Sequence, residues 1–223
     1  DYYASRGLGD VYKRQVLSYA LINQDNAILY VQDNVVDVKT EAILKRDSII
    51  IRAYNDIYED VKKLTGKVLL DDQIVNYQIF NNLNCEIKTA PNPTQHFKAI
   101  KNETEIKATK NAHIKDGVAM TKFMYWLKNN VGKIELDEVT ISDKLAAFRK
   151  EQNEFFDLSF DTICGYKANA ALMHYKAEPR NCAKVTNEGM LLIDSGGQYL
   201  DGTIDTTRTV SYTHLRAHET RSN

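Results

Sequence analysis

Short apolar runs separated by polar breaks dominate the first third of the chain. Residues 16–22 and 27–31 have the pattern of two strands joined across the polar residues 23–26, which predicts a hairpin. Further strands are predicted at residues 48–54, 67–70 and 86–88, and helices at residues 41–45, 57–64 and 73–83. This alternation of strands and helices predicts a small α/β unit.

Two prolines, Pro91 and Pro93, separate this unit from a segment with a different pattern. Proline fixes its own φ and disfavours helix in the residue before it. We therefore expect a domain boundary here, with one domain over residues 16–92 and a second over residues 93–210.

Two amphipathic helices are predicted at the start of the second domain. Asn102 followed by Glu105 suits a capping box, and the apolar spacing predicts a helix over about residues 103–129. A second helix is predicted from Ile141 to Lys150, with Thr140 as its cap. The apolar stripe of the long helix is expected to contain Ile106, His113, Met120, Met124 and Leu127. Such stripes are usually buried, so His113 is interpreted as a core residue rather than a metal ligand.

The candidate chemistry lies in the strand-rich region after residue 160. The apolar run 190–193 ends at Asp194. The hairpin signal Asp201-Gly202 follows it, and the strand predicted after this turn contains Asp205 in its first half. A turn centred on Asp201 and Gly202 would pair Asp194 with Thr209 and leave Asp205 on the same face, about 13 Å away. A bulge or kink at Gly196-Gly197 could bring the two carboxylates together.

From the residues alone, two interpretations of these aspartates stay open. Two oxygen ligands on one face would suit Mn, Mg or Zn. Aspartate at a strand end or turn is, however, more commonly a cap or turn former. His174 is likewise interpreted, without further information, as a histidine satisfied within the sheet.

Composition and charge narrow the possible partners. The chain has 223 residues, and its 29 Lys and Arg nearly balance 30 Asp and Glu without a long block of either sign, which favours neither a nucleic acid nor a membrane surface. No stretch approaches the roughly 18 apolar residues of a membrane helix. The three cysteines, Cys85, Cys164 and Cys182, lack metal or disulfide spacing, which favours the cytoplasm.

Both ends of the chain differ from the segments beside them. Residues 1–15 and 211–223 resemble translated sequencing-library linkers, and we expect both to be foreign to the fold. The tail contains His214, His218 and Glu219 in the order His-x-x-x-His-Glu. Zinc proteases of the familiar kind place the Glu directly after the first His, so we set a metal role for this string aside.

Residues 191–209, Leu-Leu-Ile-Asp-Ser-Gly-Gly-Gln-Tyr-Leu-Asp-Gly-Thr-Ile-Asp-Thr-Thr-Arg-Thr, resemble the metal hairpin of the creatinase and aminopeptidase superfamily, which has the pita-bread fold. Four upstream segments resemble the same superfamily in order and spacing: residues 101–103, 116–117, 159–163 and 171–175. The chain is similar in particular to the cytosolic, three-domain Xaa-Pro aminopeptidases (aminopeptidase P). The resemblance implies an α+β chain, with a creatinase N-terminal-like α/β domain followed by the first half of a pita-bread domain.

The resemblance also implies a site. Asp194 would chelate one of two divalent metal ions and Asp205 would bridge both, with Mn expected and Zn or Co as alternatives. His174 would be a catalytic residue that contacts substrate and helps to move protons, and Phe160 would line the substrate pocket. Substrates would be peptides with proline in the second position.

Three positions, Ala170, Ile204 and Thr206, depart from residues common in the superfamily, but none of them is a ligand. The remaining ligands of the family, one His and two Glu, come from strands further along the chain. The resemblance therefore implies an incomplete piece of a homodimeric enzyme, inactive by itself. Three alternatives stay open: a prolidase or creatinase relative, a peptidase-like binding module that has lost its ligands, and a non-catalytic α/β domain with chance similarity.

Overall fold

The structure is a computed structural model that describes residues 16–23 and 25–212. The chain divides into two compact units between Ile100 and Lys101. Each unit has a hydrophobic core of its own, which agrees with the expected α+β class. Within the described residues, no helix is both long and apolar enough to cross a membrane.

The first unit contains two small sheets and four helices. Its elements are β1 (Ser18–Ile22), β2 (Ala27–Val31), α1 (Val38–Arg46), β3 (Ile49–Ala53), α2 (Ile57–Asp60), β4 (Lys67–Leu70), α3 (Tyr77–Asn82), β5 (Glu86–Thr89) and α4 (Pro93–Ala99). Strands β1 and β2 form the predicted antiparallel hairpin, and β3 lies parallel to β2. Strands β4 and β5 form a separate parallel pair.

Two predicted helices of this unit are shorter than expected. The one predicted over residues 57–64 is an α-helix only to Asp60 and continues as a 3₁₀ turn. The pattern predicted a helix over residues 73–83, but α3 begins only at Tyr77. The side chain of Asn76 accepts hydrogen bonds from the backbone N–H groups of Gln78 and Ile79, which caps the helix at that point.

A buried polar group lies beside the core of the first unit. Tyr30, Ile57 and Val61 form the centre of this core. The Tyr30 hydroxyl donates a 2.8 Å hydrogen bond to Asp60 Oδ2, and the same carboxylate pairs with Arg52 and with Lys63. The buried carboxylate is therefore compensated by two cations and a hydroxyl.

The second unit contains two long helices and two three-stranded sheets. Its elements are α5 (Glu103–Asn130), α6 (Glu138–Lys150), β6 (Phe155–Leu158), β7 (Ile163–Tyr166), β8 (Met190–Ser195), β9 (Gly197–Tyr199), β10 (Gly202–Thr203) and β11 (Thr206–Ser211). One sheet has the order β11-β8-β7 and the other β10-β9-β6. After β11, the Tyr212 N–H donates to Gly189 O at 2.9 Å, and its ring packs against the core of the unit.

The helix starts follow local capping chemistry. The predicted capping box of α5 is confirmed, since Asn102 and Glu105 each accept a hydrogen bond from the other's backbone N–H. Helix α6 begins three residues before the prediction, because Asp137 is its N-cap. Thr140 is the N3 partner of that cap, so its assignment as the cap itself was wrong.

The buried face of α5 differs in part from the predicted stripe. Met120 and Leu127 are buried as expected, whereas Ile106 and His113 are exposed. The prediction of a core role for His113 was therefore wrong, and its Nδ1 contacts Thr109 O at 2.9 Å on the helix surface. The buried residues of α5 are Ala112, Asp116, Ala119, Met120, Phe123 and Leu127.

Candidate metal centre

The candidate ligands lie on a two-stranded ribbon that changes sheets halfway along its length. Strand β8 pairs with β7 and β11, but after Gly196 the same chain continues as β9 and pairs with β6 and β10. The returning chain is interrupted at the same level, since Ile204 and Asp205 separate β10 from β11. The ribbon therefore bends at the predicted glycine position.

Ser159 stabilises this bend with two hydrogen bonds. Its backbone N–H donates to Gly196 O at 3.0 Å, and its hydroxyl donates to Ile204 O at 2.7 Å. The side chain is 1% exposed, so neither bond competes with water. One serine thus satisfies a carbonyl on each strand of the ribbon where the ladder is interrupted.

Gly196 is the only residue type that this close approach allows. A Cβ atom built at this position would lie 1.7 Å from Ile204 O and 2.3 Å from Ser159 Oγ. Contacts this short cannot be relieved by a rotamer change, because one of them involves backbone. The requirement for glycine therefore comes from close packing of three chain segments.

The observed register differs from the predicted one by two residues. Asp194 lies opposite Thr207, so its predicted pairing with Thr209 was wrong. Gly202 pairs with Tyr199, which places Leu200 and Asp201 in the loop. Asp205 is then only two residues from the partner of Asp194, or roughly 7 Å along an extended strand, and it keeps the same side of the ribbon. The bend shortens this separation further.

The carboxyl groups of Asp194 and Asp205 are direct neighbours. Partial burial and repulsion from Asp194, with which it shares a hydrogen bond, raise the pKa of Asp205 above its ordinary value. Within residues 16–23 and 25–212, neither carboxylate forms an ion pair with a lysine or arginine. Two acidic groups thus face each other without a compensating cation.

Asp194 is held in place by a neighbour on the partner strand. The Thr207 hydroxyl donates a 2.8 Å hydrogen bond to Asp194 Oδ1. Because Thr207 lies directly opposite in the ladder, this bond orients one oxygen and leaves the other available.

The donor set fits a divalent cation, although it is not complete. Adjacent carboxylates are hard oxygen ligands, and their mutual repulsion is relieved when a cation binds between them. Among the residues that the structure describes, no group of three or more His, Cys, Asp or Glu could hold a metal ion. The string His214, His218 and Glu219 lies outside those residues. Asp194 and Asp205 are therefore two oxygen donors of the kind that a divalent cation binds, and their metal role stays a prediction.

The other two candidate site residues lie in the chain between β6 and β8. Phe160 is half-buried, follows Ser159, and precedes β7, whose first residue Ile163 lies opposite Asp194. His174 is exposed, with a φ of 55° in the left-handed region. No hydrogen bond joins His174 to either aspartate within the described part of the chain. Phe160 thus follows the serine that contacts the bend, and His174 lies in the loop between β7 and β8.

A buried ion pair supports the ribbon on its helical side. Arg149 on α6 donates to both oxygens of Asp116 on α5, at 2.7 and 3.1 Å, and the Tyr199 hydroxyl donates to Asp116 Oδ1 at 3.0 Å. Burial and the nearby Asp116 raise the pKa of Tyr199 above its usual range. This network connects both helices to β9, so it fixes the second half of the ribbon.

Sequence reasoning missed the groups that shape the site. Ser159 and Thr207 are small hydroxyl residues, and their role depends on strand pairings that no local pattern encodes. Thr207 lies two residues after Asp205, which places it on the same face, and this spacing is the one available signal.

Comparison with known proteins gives a consistent family. Residues 5–105 match the creatinase/prolidase N-terminal domain, and residues 107–221 match metallopeptidase family M24. The probable Xaa-Pro aminopeptidase P of Chaetomium globosum is 36% identical over 222 residues, which cover 93% of this chain and 36% of that protein. Aminopeptidase P2 of Arabidopsis thaliana is 35% identical over 236 residues, which cover 91% of this chain and 33% of that protein.

Solved structures agree with this result. The X-prolyl aminopeptidase of Caenorhabditis elegans, described as a cytosolic enzyme with a di-nuclear active site, has a TM-score of 0.80 at 29% identity, covering 91% of this chain and 35% of that one. Prolidase from Pyrococcus furiosus has the same fold, with a TM-score of 0.62 at 20% identity, covering 87% of this chain and 56% of that one.

The chain spans about a third of the length of the Xaa-Pro aminopeptidases that it matches. The M24 match covers 107–221, more than half of the chain, and includes the whole bent ribbon. With a creatinase-type N-terminal domain ahead of it, this chain belongs to metallopeptidase family M24.

Proposed function

We propose that this chain forms part of a metal-dependent aminopeptidase that removes the first residue from peptides with proline second. The observation that carries the proposal is the convergence of Asp194 and Asp205 at the bend of the ribbon, where burial and the neighbouring Asp194 raise the pKa of Asp205. Membership in the M24 family and the names of the relatives support the choice of reaction and substrate.

Asp194 and Asp205 would hold two divalent cations, with Asp205 shared between them. Divalent cations in such a site lower the pKa of bound water and polarise the scissile carbonyl. The chain's contribution is to keep the two carboxyl groups adjacent and oriented, through the bend at Gly196 and the hydrogen bond from Thr207. Mn²⁺ is the cation we propose, because the two described ligands are both carboxylates.

The substrate side of the site would come from two residues. Phe160, half-buried beside the bend, would supply apolar surface against the substrate. His174, whose imidazole is exposed, would contact the substrate and move protons as the peptide bond breaks. Both assignments rest on the resemblance of residues 159–163 and 171–175 to the family.

Two carboxylates are too few to satisfy a pair of cations that each take four or more ligands. The resembled family uses one further His and two Glu, which we place in the part of the relatives' length that this chain does not span. We therefore expect the chain by itself to bind Mn²⁺ only weakly and to be inactive. Tight binding of two Mn²⁺ ions per chain would contradict this ligand count.

The decisive experiment replaces Asp205 with Asn in a full-length enzyme that contains this ribbon. We expect D205N to lower turnover of an Xaa-Pro-containing tripeptide at least about 1,000-fold and to reduce the bound metal measured by elemental analysis, because Asn carries no charge to share between two cations. Asp143→Asn, at an exposed position of α6, is the matched control and should leave both quantities unchanged.

The same assay separates the alternatives. Cleavage of Xaa-Pro dipeptides but not of longer peptides would replace the proposal with a prolidase. Absence of both metal and turnover in the full-length wild-type protein would support a peptidase-like binding module. Full activity of D205N would refute the bridging role of Asp205.

A further inference from the structure

A buried carboxylate, Glu138, lies at the start of α6. Glu138 occupies the first turn of this helix, directly after the N-cap Asp137, and its side chain is 0% exposed. No lysine or arginine of the described residues pairs with it. A buried carboxylate is costly to maintain unless several donors compensate it, so its contacts indicate what it is for.

The donors to Glu138 all come from one stretch of chain. Oε1 accepts from the Tyr166 N–H at 2.7 Å and from Asn169 Nδ2 at 3.0 Å. Oε2 accepts from the Tyr175 hydroxyl at 2.8 Å and from the Ala183 N–H at 2.8 Å. The N-terminal position in the helix also favours negative charge. The first turn of α6 therefore binds the loop between β7 and β8 at its beginning, middle and end.

This loop has little regular structure of its own. Between β7 and β8 it contains one 3₁₀ turn, Lys167–Ala171, and otherwise bends and isolated bridges. Its backbone is held to the first turn of α6 by two bonds, from the Glu138 N–H to Ala183 O and from the Val185 N–H to Leu136 O. The side chain of Glu138 supplies the hydrogen bonds that reach the middle of the loop.

His174 is adjacent to the middle one of these attachments. Its neighbour Tyr175 reaches Glu138 with its hydroxyl, while the imidazole of His174 is exposed. The φ of His174 is 55°, a conformation that non-glycine residues adopt at some cost and that needs support from the surroundings. The Tyr175 N–H donates to Leu172 O at 3.3 Å, which closes a turn around His174, and the Tyr175 hydroxyl attaches this turn to Glu138.

We propose that Glu138 is a positioning residue for His174, acting through Tyr175 and Asn169. The importance of this role for the reaction rests on the proposed function, in which His174 lies beside the substrate. The hydrogen bonds from which the role of Glu138 is inferred do not depend on the proposed function. A buried acid at a helix start thereby holds the middle of the loop in which the imidazole of His174 is exposed.

The test measures the NMR signal of the His174 imidazole in this chain, isotopically labelled at histidine. The chain has five histidines, and the signal of His174 is assigned with His174→Gln; His96 and His113 serve as internal references. Tyr175→Phe removes one hydroxyl and is the main variant, and Glu138→Gln is the stronger one. Asp143→Asn, which removes an exposed carboxylate five residues after Glu138 on the same helix, is the charge-matched control.

We expect Tyr175→Phe and Glu138→Gln to move or broaden the His174 signal and to raise amide hydrogen exchange of residues 172–176 at least about ten-fold, the signature of a local opening that has become easier. His96, His113 and the control variant should be unchanged. An unaltered His174 signal with unaltered exchange in folded Tyr175→Phe would overturn the proposal. An equal change in Asp143→Asn would also overturn it. If Glu138→Gln fails to fold, Tyr175→Phe still decides.

Activity of the full-length enzyme separates this inference from the proposed function. If Tyr175→Phe moves the His174 signal and lowers kcat more than it changes KM, both stand. If the signal moves while kcat is unchanged, positioning is supported and the role of His174 in the reaction fails.

Discussion

At the scale of single residues, the candidate site depends on positions that carry no catalytic chemistry. Gly196 permits an approach between chain segments that any side chain would block, and Ser159 satisfies the carbonyls exposed by that approach. The sequence suggested the glycine bend because Gly196 and Gly197 follow an apolar strand. It gave no indication of Ser159, because the partners of this serine are 37 to 45 residues away in the chain.

Replacement of Gly196 by alanine should be strongly destabilising. The added Cβ would lie 1.7 Å from a backbone oxygen, so the ribbon would have to open, and we expect a loss of roughly 3 kcal/mol or more in the free energy of unfolding. Urea denaturation followed by circular dichroism measures this loss. Gly117→Ala is the matched control, because nothing lies within 4 Å of its Cβ and alanine favours helix. A G196A protein as stable as the wild type would refute the packing argument.

At the scale of secondary-structure elements, the sequence predicted the position of several helices and strands, but it did not predict how paired strands align. Strand β4 and the long helix α5 agree with their predicted ranges, since their patterns are local. The ribbon register was missed because Asp201-Gly202 was taken as the turn. Gly202 instead lies in β10, where a Cβ would come within 2.9 Å of Ala112 Cβ on α5. Asp201 in the loop pairs with Lys115 at 2.7 Å. Both residues are explained by the helix behind them, which a turn pattern cannot reveal.

The buried face of α5 has a similar explanation. The sequence favoured the largest apolar side chains, but the packed face begins with Ala112 and includes Asp116 and Ala119. Small residues are needed where the helix passes close to the ribbon, and Asp116 is buried because Arg149 pairs with it. A pattern of large apolar residues indicates neither the small residues nor the buried ion pair. The exposed Ile106 and His113 were therefore assigned to the core.

The capping box of α5 gives a quantitative prediction. Asn102 and Glu105 satisfy two backbone N–H groups that the helix itself leaves unpaired. Asn102→Ala should therefore lower the free energy of unfolding by about 1 kcal/mol, measured by urea denaturation. Thr104→Ala, an exposed change in the same turn, should have a much smaller effect. Equal effects of both variants would show that the cap contributes nothing specific.

At the scale of the whole molecule, the chain consists of two units with separate cores and separate buried acidic networks. The first contains Asp60 with Tyr30, Arg52 and Lys63, and the second contains Asp116 with Arg149 and Tyr199. The chain has one tryptophan, Trp126 on α5. The fluorescence of Trp126 reports the unfolding of the second unit, and circular dichroism reports the unfolding of both units. Comparing the two signals therefore distinguishes the unfolding of one unit from that of the other.

Acid should weaken the first unit through Asp60. A hydrogen bond from Lys63, followed by Tyr30 and Arg52, lowers the pKa of Asp60 against the opposing effect of burial. A carboxyl group with a lowered folded-state pKa binds fewer protons when folded. Its contribution to stability is complete above the unfolded pKa of about 4 and is lost as the pH falls through the lower folded value.

We therefore expect the urea midpoint of the first unit to fall between pH 6 and pH 3 by more in the wild type than in Asp60→Asn. Asp33→Asn, an exposed change in the same unit, should keep the wild-type pH dependence. A slope in Asp60→Asn as steep as in the wild type would assign the acid sensitivity to other groups.

The two-residue loop at Leu200 and Asp201 sets which side of the ribbon Asp205 occupies. Side chains alternate along a strand, so a one-residue shift in the register of the returning strand would turn Asp205, together with Thr207, to the opposite surface from Asp194. A ribbon in that register would offer cations only one carboxylate at a time. In this architecture, loop length at a distant hairpin tip is as much a determinant of metal affinity as the identity of the ligands.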